Sequence, residues 1–210
     1  MISQGVKEIY FGATRWLTLP NYLAARVRYR NPPVEGLSLH LGCGEEYIPG
    51  MVNVDVNFLR RKDLWLDLCN GLPFPDGSAS FVYCSHTIEH LYPWTALAVL
   101  SEIRRVLRAD GVARIAVPSL EHALRIIAGD SKSEWPRNFS DPRAQALNYL
   151  FCEGQHKYGY CTSILADFAR QAGFTTAVED AVYSGEKRKQ YGRVTIGNEP
   201  EGSLVMEMRR

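Results

Sequence analysis

The stretch LSLHLGCGEEYIPGMVNVDVN, residues 37–57, decides the fold. Leu37–Leu41 is a short apolar run that ends in Gly42-Cys43-Gly44, and Val52–Val56 is a second one that carries Asp55. Short apolar runs bounded by turn residues read as buried strands. Gly42 and Gly44 let the backbone turn sharply and let a ligand approach with no Cβ in the way. Asp55, at the end of the next strand, can accept two hydrogen bonds from a ribose diol. A glycine turn after one strand and a carboxylate after the next point to a ligand that contains adenosine.

Outward from this stretch the chain alternates strand and helix. Leu64–Leu68 reads as a third strand, with Asp67 placed to accept from an adenine amino group and Leu68 to cover the ring. After the Asp76-Gly77 turn, Ser80–Cys84 is a fourth strand, and Ser85 and His86 lie where it exits. Leu91 to Leu107 is the clearest helix, because Leu97, Leu100, Ile103 and Leu107 recur at the helical spacing. Arg104, Arg105 and Arg108 sit off that stripe toward the C-terminal end of the helix dipole, and Asp110-Gly111 stops the helix. Val112–Val117, Phe174–Val182 and Ser203–Met208 are the remaining strands, with helices over Leu120–Ala128 and Ser163–Ala172, and residues 129–160 are mixed and aromatic. Residues 1–30 hold two helical pieces, the second opening on an Asn21 cap after Pro20 and ending before Asn31-Pro32-Pro33. The pattern predicts an α/β, doubly wound sheet of seven strands, mostly parallel with the last strand antiparallel. It divides the chain into a helical arm, residues 1–33, and one domain, residues 34–210.

Composition bounds the function. With 210 residues, 46% apolar, 22% charged and a formal charge of +1, the chain is an ordinary globular sequence with no bulk electrostatic pull toward nucleic acid or an anionic membrane. No apolar run approaches the ~20 residues of a membrane span, and the first residues lack the apolar core of a secretory signal. The five cysteines form no CxxC pair, so neither a disulfide framework nor a zinc site is expected, and a reducing cytoplasm fits. No metal cluster is visible in the sequence.

The adenosine ligand is narrowed by spacing. A dinucleotide site needs G-x-G-x-x-G opening a helix, with an acid ~20 residues on. Here Tyr47 stands at the third glycine position and Asp55 follows Gly42 by only thirteen residues, too few for a full crossover helix. No G-x-x-x-x-G-K-[ST] is present. A ligand with adenosine and no phosphate fits better.

LHLGCG, VNVD, LDLCNGLPFPDGSASFVYCSHTIEHL, EIRRVLRADGVARIAVPSLE and GQHKYGYCTSILADFARQAGF, spread in order over residues 37–182, together resemble the class I S-adenosylmethionine-dependent methyltransferases. The nearest branch is the type 11 methyltransferases, which are linked to glycan and secondary-metabolite biosynthesis. The resemblance implies a Rossmann-like fold and S-adenosyl-L-methionine as cofactor. It implies that Gly42, Cys43 and Gly44 line the methionine part, Asp55 binds the ribose, Asp67 and Leu68 hold the adenine, and Ser85 and His86 offer backbone groups. Two departures stand out. His40 occupies a place where many relatives carry an acid, and the helix after the glycine turn is nearly absent, so that EEYIPGM must wall off that side, with Tyr47 taking some cofactor contact.

Methyl transfer is mainly a matter of positioning. An oxygen nucleophile also needs a base, and histidine is the usual one near neutral pH. His90, at the start of the main helix, and His156, in EGQHKYGY, are the candidate bases, with Tyr158 and Tyr160 shaping the acceptor pocket. Glu89 reads as an acid at a helix start, His40 as a core histidine, and His122 has no partner in this reading. The arm, with Tyr10, Phe11, Trp16, Tyr22 and Tyr29 among arginines, reads as a packed helix with a solvated face, and as a place for a homodimer contact. SGEKRKQYGR, residues 184–193, reads as a solvated basic loop. The expected activity is methyl transfer to oxygen of a small-molecule or glycan-like acceptor, in the cytoplasm, with no nucleic-acid partner and no transmembrane segment. The alternatives are a non-catalytic S-adenosylmethionine-binding scaffold or subunit and, disfavoured by the missing glycine, a nicotinamide-dependent oxidoreductase.

Overall fold

A computed structural model describes residues 4–129, 140–180, 189–197 and 199–210. The strands are β1 (Leu37–Leu41), β2 (Val52–Asp55), β3 (Leu64–Trp65), β4 (Ala79–Ser85), β5 (Leu107–Pro118), β6 (Thr176–Asp180), β7 (Lys189–Tyr191), β8 (Val194–Ile196) and β9 (Ser203–Arg209). The helices are α1 (Gln4–Leu17), α2 (Leu19–Arg28), α3 (Pro93–Val106), α4 (Leu120–Ala128), α5 (Pro142–Phe151) and α6 (Thr162–Gln171). Seven strands form one sheet in the order β3-β2-β1-β4-β5-β9-β6. β1 to β5 pair in parallel, and β9 runs antiparallel to both β5 and β6. The expected fold class is therefore the observed one.

The two faces of the sheet are covered differently. Leu39, Leu41, Val54, Val82, Cys84, Ile115 and Met206 face the main core, where α3 contributes Leu100 and Ile103, α6 Leu165 and Ala169, and α2 Ala25. The other face carries Phe81 and Tyr83, and against them lie Met51, Val194 and Ile196. The β7–β8 hairpin thus covers this face of β4, with Phe81 stacked on Tyr191 at 4.1 Å between ring centroids. This corrects the reading of residues 184–193 as a loop between the last two strands: positions 189–193 belong to a hairpin, and 184–188 lie outside the described residues. Net basic charge hid the apolar alternation of Tyr191, Val194 and Ile196. EEYIPGM does help close this side, through Ile48 and Met51.

Other boundaries shift for local reasons. β3 is only two residues long, because Asp67 accepts from the Cys69 N–H and caps a short 3-10 turn over Leu68–Asn70. α2 begins at Leu19 with Pro20 in its first turn, and Asn21 donates its side-chain amide to the Trp65 carbonyl instead of capping. α3 starts at Pro93 after a separate 3-10 turn at Ile88–His90, since a proline suits the first turn of a helix and no later position. Part of the mixed stretch is α5, capped by Asp141, which packs Ala146 against Ala123 and Ile126 of α4. Val182 of the sixth expected strand lies outside the described residues.

Behind the carboxyl ends of the strands lies a buried polar layer. His40 is 2% exposed, with Nδ1 3.2 Å from Asn53 Oδ1. That oxygen already accepts the Ile48 N–H, so Nδ1 carries the proton and His40 is neutral. Burial pushes its pKa down to about 4, against the weaker upward pull of its bonds with Asn53 and the charge of Asp55. A histidine depressed in the folded state favours folding fully above its unfolded pKa, near 6.5, and loses that contribution as pH falls toward 4. Urea unfolding measured from pH 7 to pH 4 should show wild type losing about 3 kcal/mol more than His40→Gln across that window. Equal losses would show that His40 titrates normally.

Candidate active site

The parallel strands β1, β2 and β4 deliver their carboxyl ends to one edge, where ligands of such sheets bind. The glycine turn there has two different reasons for its glycines. Gly42 has φ +68°, and a Cβ on it would lie 2.1 Å from the Thr87 hydroxyl oxygen and 2.5 Å from its methyl carbon. Its lack of side chain lets the loop after β4 close over the loop after β1. Gly44 has φ +51°, and a Cβ there would meet nothing within 4 Å. The Gly44 N–H donates to Asp55 Oδ2 at 2.8 Å, and the Asn57 N–H donates to Oδ1 at 2.5 Å. The Asp55 carboxylate, 7% exposed, is thus held from behind by two backbone donors, and each oxygen keeps a lone pair for another.

The remaining cofactor candidates divide. Cys43 is buried, and desolvation together with Asp55 pushes its thiol up to about 12, so it stays protonated and unreactive. Tyr47 donates to Asp63 Oδ1 at 2.9 Å and lies under the Arg61 guanidinium, so its side chain braces the loop after β1. Asp67 has Oδ1 on the Cys69 N–H and Oδ2 on the Thr14 hydroxyl at 3.1 Å, and Leu68 packs in the core. α1 therefore lies along this side, and the Tyr10 hydroxyl also donates to the Val56 carbonyl at 2.7 Å. Ser85 donates to Glu199 Oε2 at 2.8 Å. His86 sits at φ +46°, its N–H on the Ala116 carbonyl and its Nε2 2.9 Å from the Ser203 hydroxyl.

Sequence reasoning missed three participants. Thr87 locks the two loops together. Glu199 is 6% exposed and takes hydrogen bonds from Tyr83 and Ser85, with Arg114 Nε 3.4 Å from its other oxygen. Glu89 is 1% exposed, and neither of its carboxylate oxygens has a hydrogen-bond partner. An acid in an irregular loop gives no sequence signal of such burial, so Glu199 was not legible. Glu89 was visible only as a helix-start acid.

The structure brings His90 and His156 together around Glu89. Their rings meet edge to face at 4.8 Å, and each Nε2 is 4.0 Å from Glu89 Oε1. The reason is a backbone strap: the Glu89 carbonyl accepts the N–H groups of both Lys157 (2.7 Å) and Tyr158 (3.3 Å). Burial lowers the pKa of His156 against the opposing pull of Glu89. Tyr158 is partly exposed beside this group, whereas Tyr160 is fully buried against Tyr158 and Phe168 and has no surface to offer an acceptor. His122 has its Nε2 3.9 Å from Glu201, away from the cluster. A cavity of about 410 Å³ between Arg26, Arg30 and Arg105 lies at the opposite ends of the strands and belongs to neither group.

Comparison with known proteins bears on the fold and on part of the chain. Residues 43–115 match the methyltransferase domain family. No curated protein sequence matches the chain. Among solved structures, a SAM-dependent methyltransferase from Archaeoglobus fulgidus aligns over all of both chains at 14% identity with a TM-score of 0.52. A SAM-dependent methyltransferase from Thermotoga maritima, described as a possible histamine N-methyltransferase, aligns over 90% of this chain and 88% of its own, at 17% identity and TM-score 0.50. The structure of PigF with SAH aligns over 83% of this chain at 17% identity and TM-score 0.51, and the chain spans half of its length. The chain thus shares its fold with solved S-adenosylmethionine-dependent methyltransferases, and residues 43–115 are similar to a methyltransferase domain, a family whose methyl donor is S-adenosylmethionine.

The residues present fit that cofactor: the space over Gly44 is open, and the held carboxylate of Asp55 has acceptor capacity for a pair of hydroxyls. Removing a charge-assisted pair of hydrogen bonds costs roughly 1.5–3 kcal/mol. Calorimetric titration should therefore show Asp55→Ala binding S-adenosylmethionine about 10- to 150-fold more weakly than wild type, with NAD binding neither protein. Unchanged affinity in Asp55→Ala would remove this carboxylate from the ribose. A second substitution, Gly42→Ala, should lower the melting temperature, since it combines a clash with Thr87 and a disfavoured φ; an unchanged melting temperature would show that Thr87 can move aside.

Proposed function

We propose that the chain transfers the methyl group of S-adenosylmethionine to an oxygen of a small-molecule or glycan-like acceptor. The observation that carries this reading is the placement of two unlike groups at one sheet edge: the Gly44–Asp55 cradle after β1 and β2, and the Glu89–His90–His156 cluster after β4. S-adenosylmethionine, when bound, supplies a methyl group already activated by its positive sulfur. What is left to the chain is to bind, orient and exclude water.

In this reading Asp55 holds the ribose hydroxyls, and the contact of Gly42 with Thr87 fixes the distance between cofactor and acceptor halves. α1 and the segment after α5 flank the two halves and keep bulk water from the reacting atoms. An acceptor hydroxyl must lose its proton as the new bond to carbon forms, and His90 or His156 takes it. His156 is tethered by its Nδ1 to the Leu150 carbonyl at 2.9 Å, and His90 is the more exposed of the two, open to an incoming acceptor. Tyr158 borders the same space.

Purified protein incubated with S-adenosylmethionine and fractionated small-molecule extracts should release S-adenosylhomocysteine only with fractions that contain the acceptor. With that acceptor, replacing both His90 and His156 by Ala should slow turnover by about 10²- to 10⁴-fold. Tight binding without release in any fraction would identify a scaffold, and undiminished turnover in the double variant would remove both histidines from the proton transfer.

A further inference from the structure

We propose that Glu89, His90 and His156 form a binding site for a divalent transition-metal ion. One ligand atom from each of the three lies within 4.8 Å of the others. A ring nitrogen of each histidine stands near a buried carboxylate that no hydrogen-bond donor reaches. His156 Nδ1 is 2.9 Å from the Leu150 carbonyl, which only accepts, so Nδ1 carries the hydrogen. The neutral ring then presents the bare lone pair of Nε2 toward Glu89 Oε1, 4.0 Å away. His90 Nε2 stands at the same 4.0 Å. The Glu89 carboxylate is 1% exposed, and both its oxygens lack hydrogen-bond donors. Buried carboxylates are paired, hydrogen-bonded or bound to metals. A third ring nitrogen, His86 Nδ1, lies nearer still, 3.4 Å from Oε1.

The surroundings are those of a metal site. A ligating histidine typically gives its other ring N–H to a backbone carbonyl, which fixes the tautomer, and His156 does so. Two imidazoles and one carboxylate suit zinc, manganese, iron or cobalt over magnesium, which prefers oxygen ligands alone. At metal–ligand distances of about 2.1 Å, neighbouring ligand atoms sit about 3 to 3.4 Å apart, so the two pairs at 4.0 Å need to close by about 0.6 to 1 Å, and the widest separation, within 4.8 Å, by no more than about 1.8 Å. Three protein ligands leave positions open for an oxygen of a small molecule. This deepens the acceptor half of the proposed function, and rests on it only for what the open positions would hold: a hydroxyl or diol of the acceptor, whose ionised oxygen the cation would favour with the proton passed to water, so that with an ion bound the two imidazoles serve as ligands in place of acting as the base. Binding of the ion itself is independent of that reading.

The test is titration of Co²⁺ and Zn²⁺ into the metal-free full chain, followed by calorimetry and by the visible absorption of Co²⁺, with a parallel titration of S-adenosylhomocysteine. Wild type should take up one ion, with Mg²⁺ at least tenfold weaker. His90→Ala, at the exposed member, and His156→Ala should each weaken Co²⁺ binding at least tenfold and leave S-adenosylhomocysteine binding in place, which also reports that the variants fold. No stoichiometric uptake by wild type, or wild-type affinity in both variants, would overturn the site and leave Glu89 and His156 sharing a proton. Ion binding without S-adenosylhomocysteine binding would instead sink the methyl-transfer reading and leave the metal site standing.

Discussion

The contact between Gly42 and Thr87 holds the site together. β1 and β4 are neighbours in the sheet, and both send their chains into the same edge. A side chain of any size at position 42 would overlap Thr87, so the two loops can pass at this separation only because one of them has no Cβ. On one side of the contact the backbone goes on to Gly44 and the Asp55 carboxylate. On the other it goes on to Glu89. The Gly44–Asp55 cradle and the cluster after β4 therefore meet where Gly42 passes Thr87, whose hydroxyl also lies 3.5 Å from the Leu41 and Gly42 carbonyls.

Charge is arranged around this contact in a way the net value of +1 conceals. Buried Arg114 and Glu199 and half-buried Glu207 form a group on the hairpin side of the sheet, with Arg114 Nε 3.4 Å from Glu199 and Nη1 3.5 Å from Glu207. A buried ion group of this kind adds little to stability over apolar packing, but breaking it leaves a charge without solvent or partner. It fixes where the β7–β8 hairpin can sit, and through Tyr83 and Ser85 it braces the end of β4. At the other end of α3, Arg105 spans Glu102, Asp76 and the carbonyls of Leu72 and Phe74, which pins the loop that leads into β4. The strand that carries the His86–His90 segment is thus clamped at both ends.

How much of this the sequence disclosed follows from range. β1, β2 and the glycine turn were legible because their signals are local: apolar runs, glycines with positive φ and an acid eleven residues beyond Gly44. α4 was legible because Ser119 and Gly129 mark its two ends. The hairpin was not, because its burial depends on a sheet face that local pattern does not show to be uncovered. Asp67 looked like a free strand-end acid, and a capping bond to Cys69 and a hydroxyl from the arm occupy it. His90 and His156 were each visible as candidates. Their meeting at Glu89 was not, since it depends on two backbone bonds that join distant segments.

Those two bonds have a kinetic consequence. Gly44 finds Asp55 across 11 positions of chain, whereas Lys157 reaches the Glu89 carbonyl across 68. Closing the longer loop costs roughly 1.6 kcal/mol more chain entropy than closing the shorter. The surface that offsets this cost is that of Tyr158 and Tyr160, which pack against Phe168 of α6, so the strap depends on α6 being in place. The Gly44–Asp55 end of the site thus assembles with the central strands, and the Glu89 end is completed last and opens first. The Lys157 amide hydrogen, held by the Glu89 carbonyl, is thus the one whose protection distinguishes a chain with both groups joined from a folded sheet that carries the Gly44–Asp55 group alone.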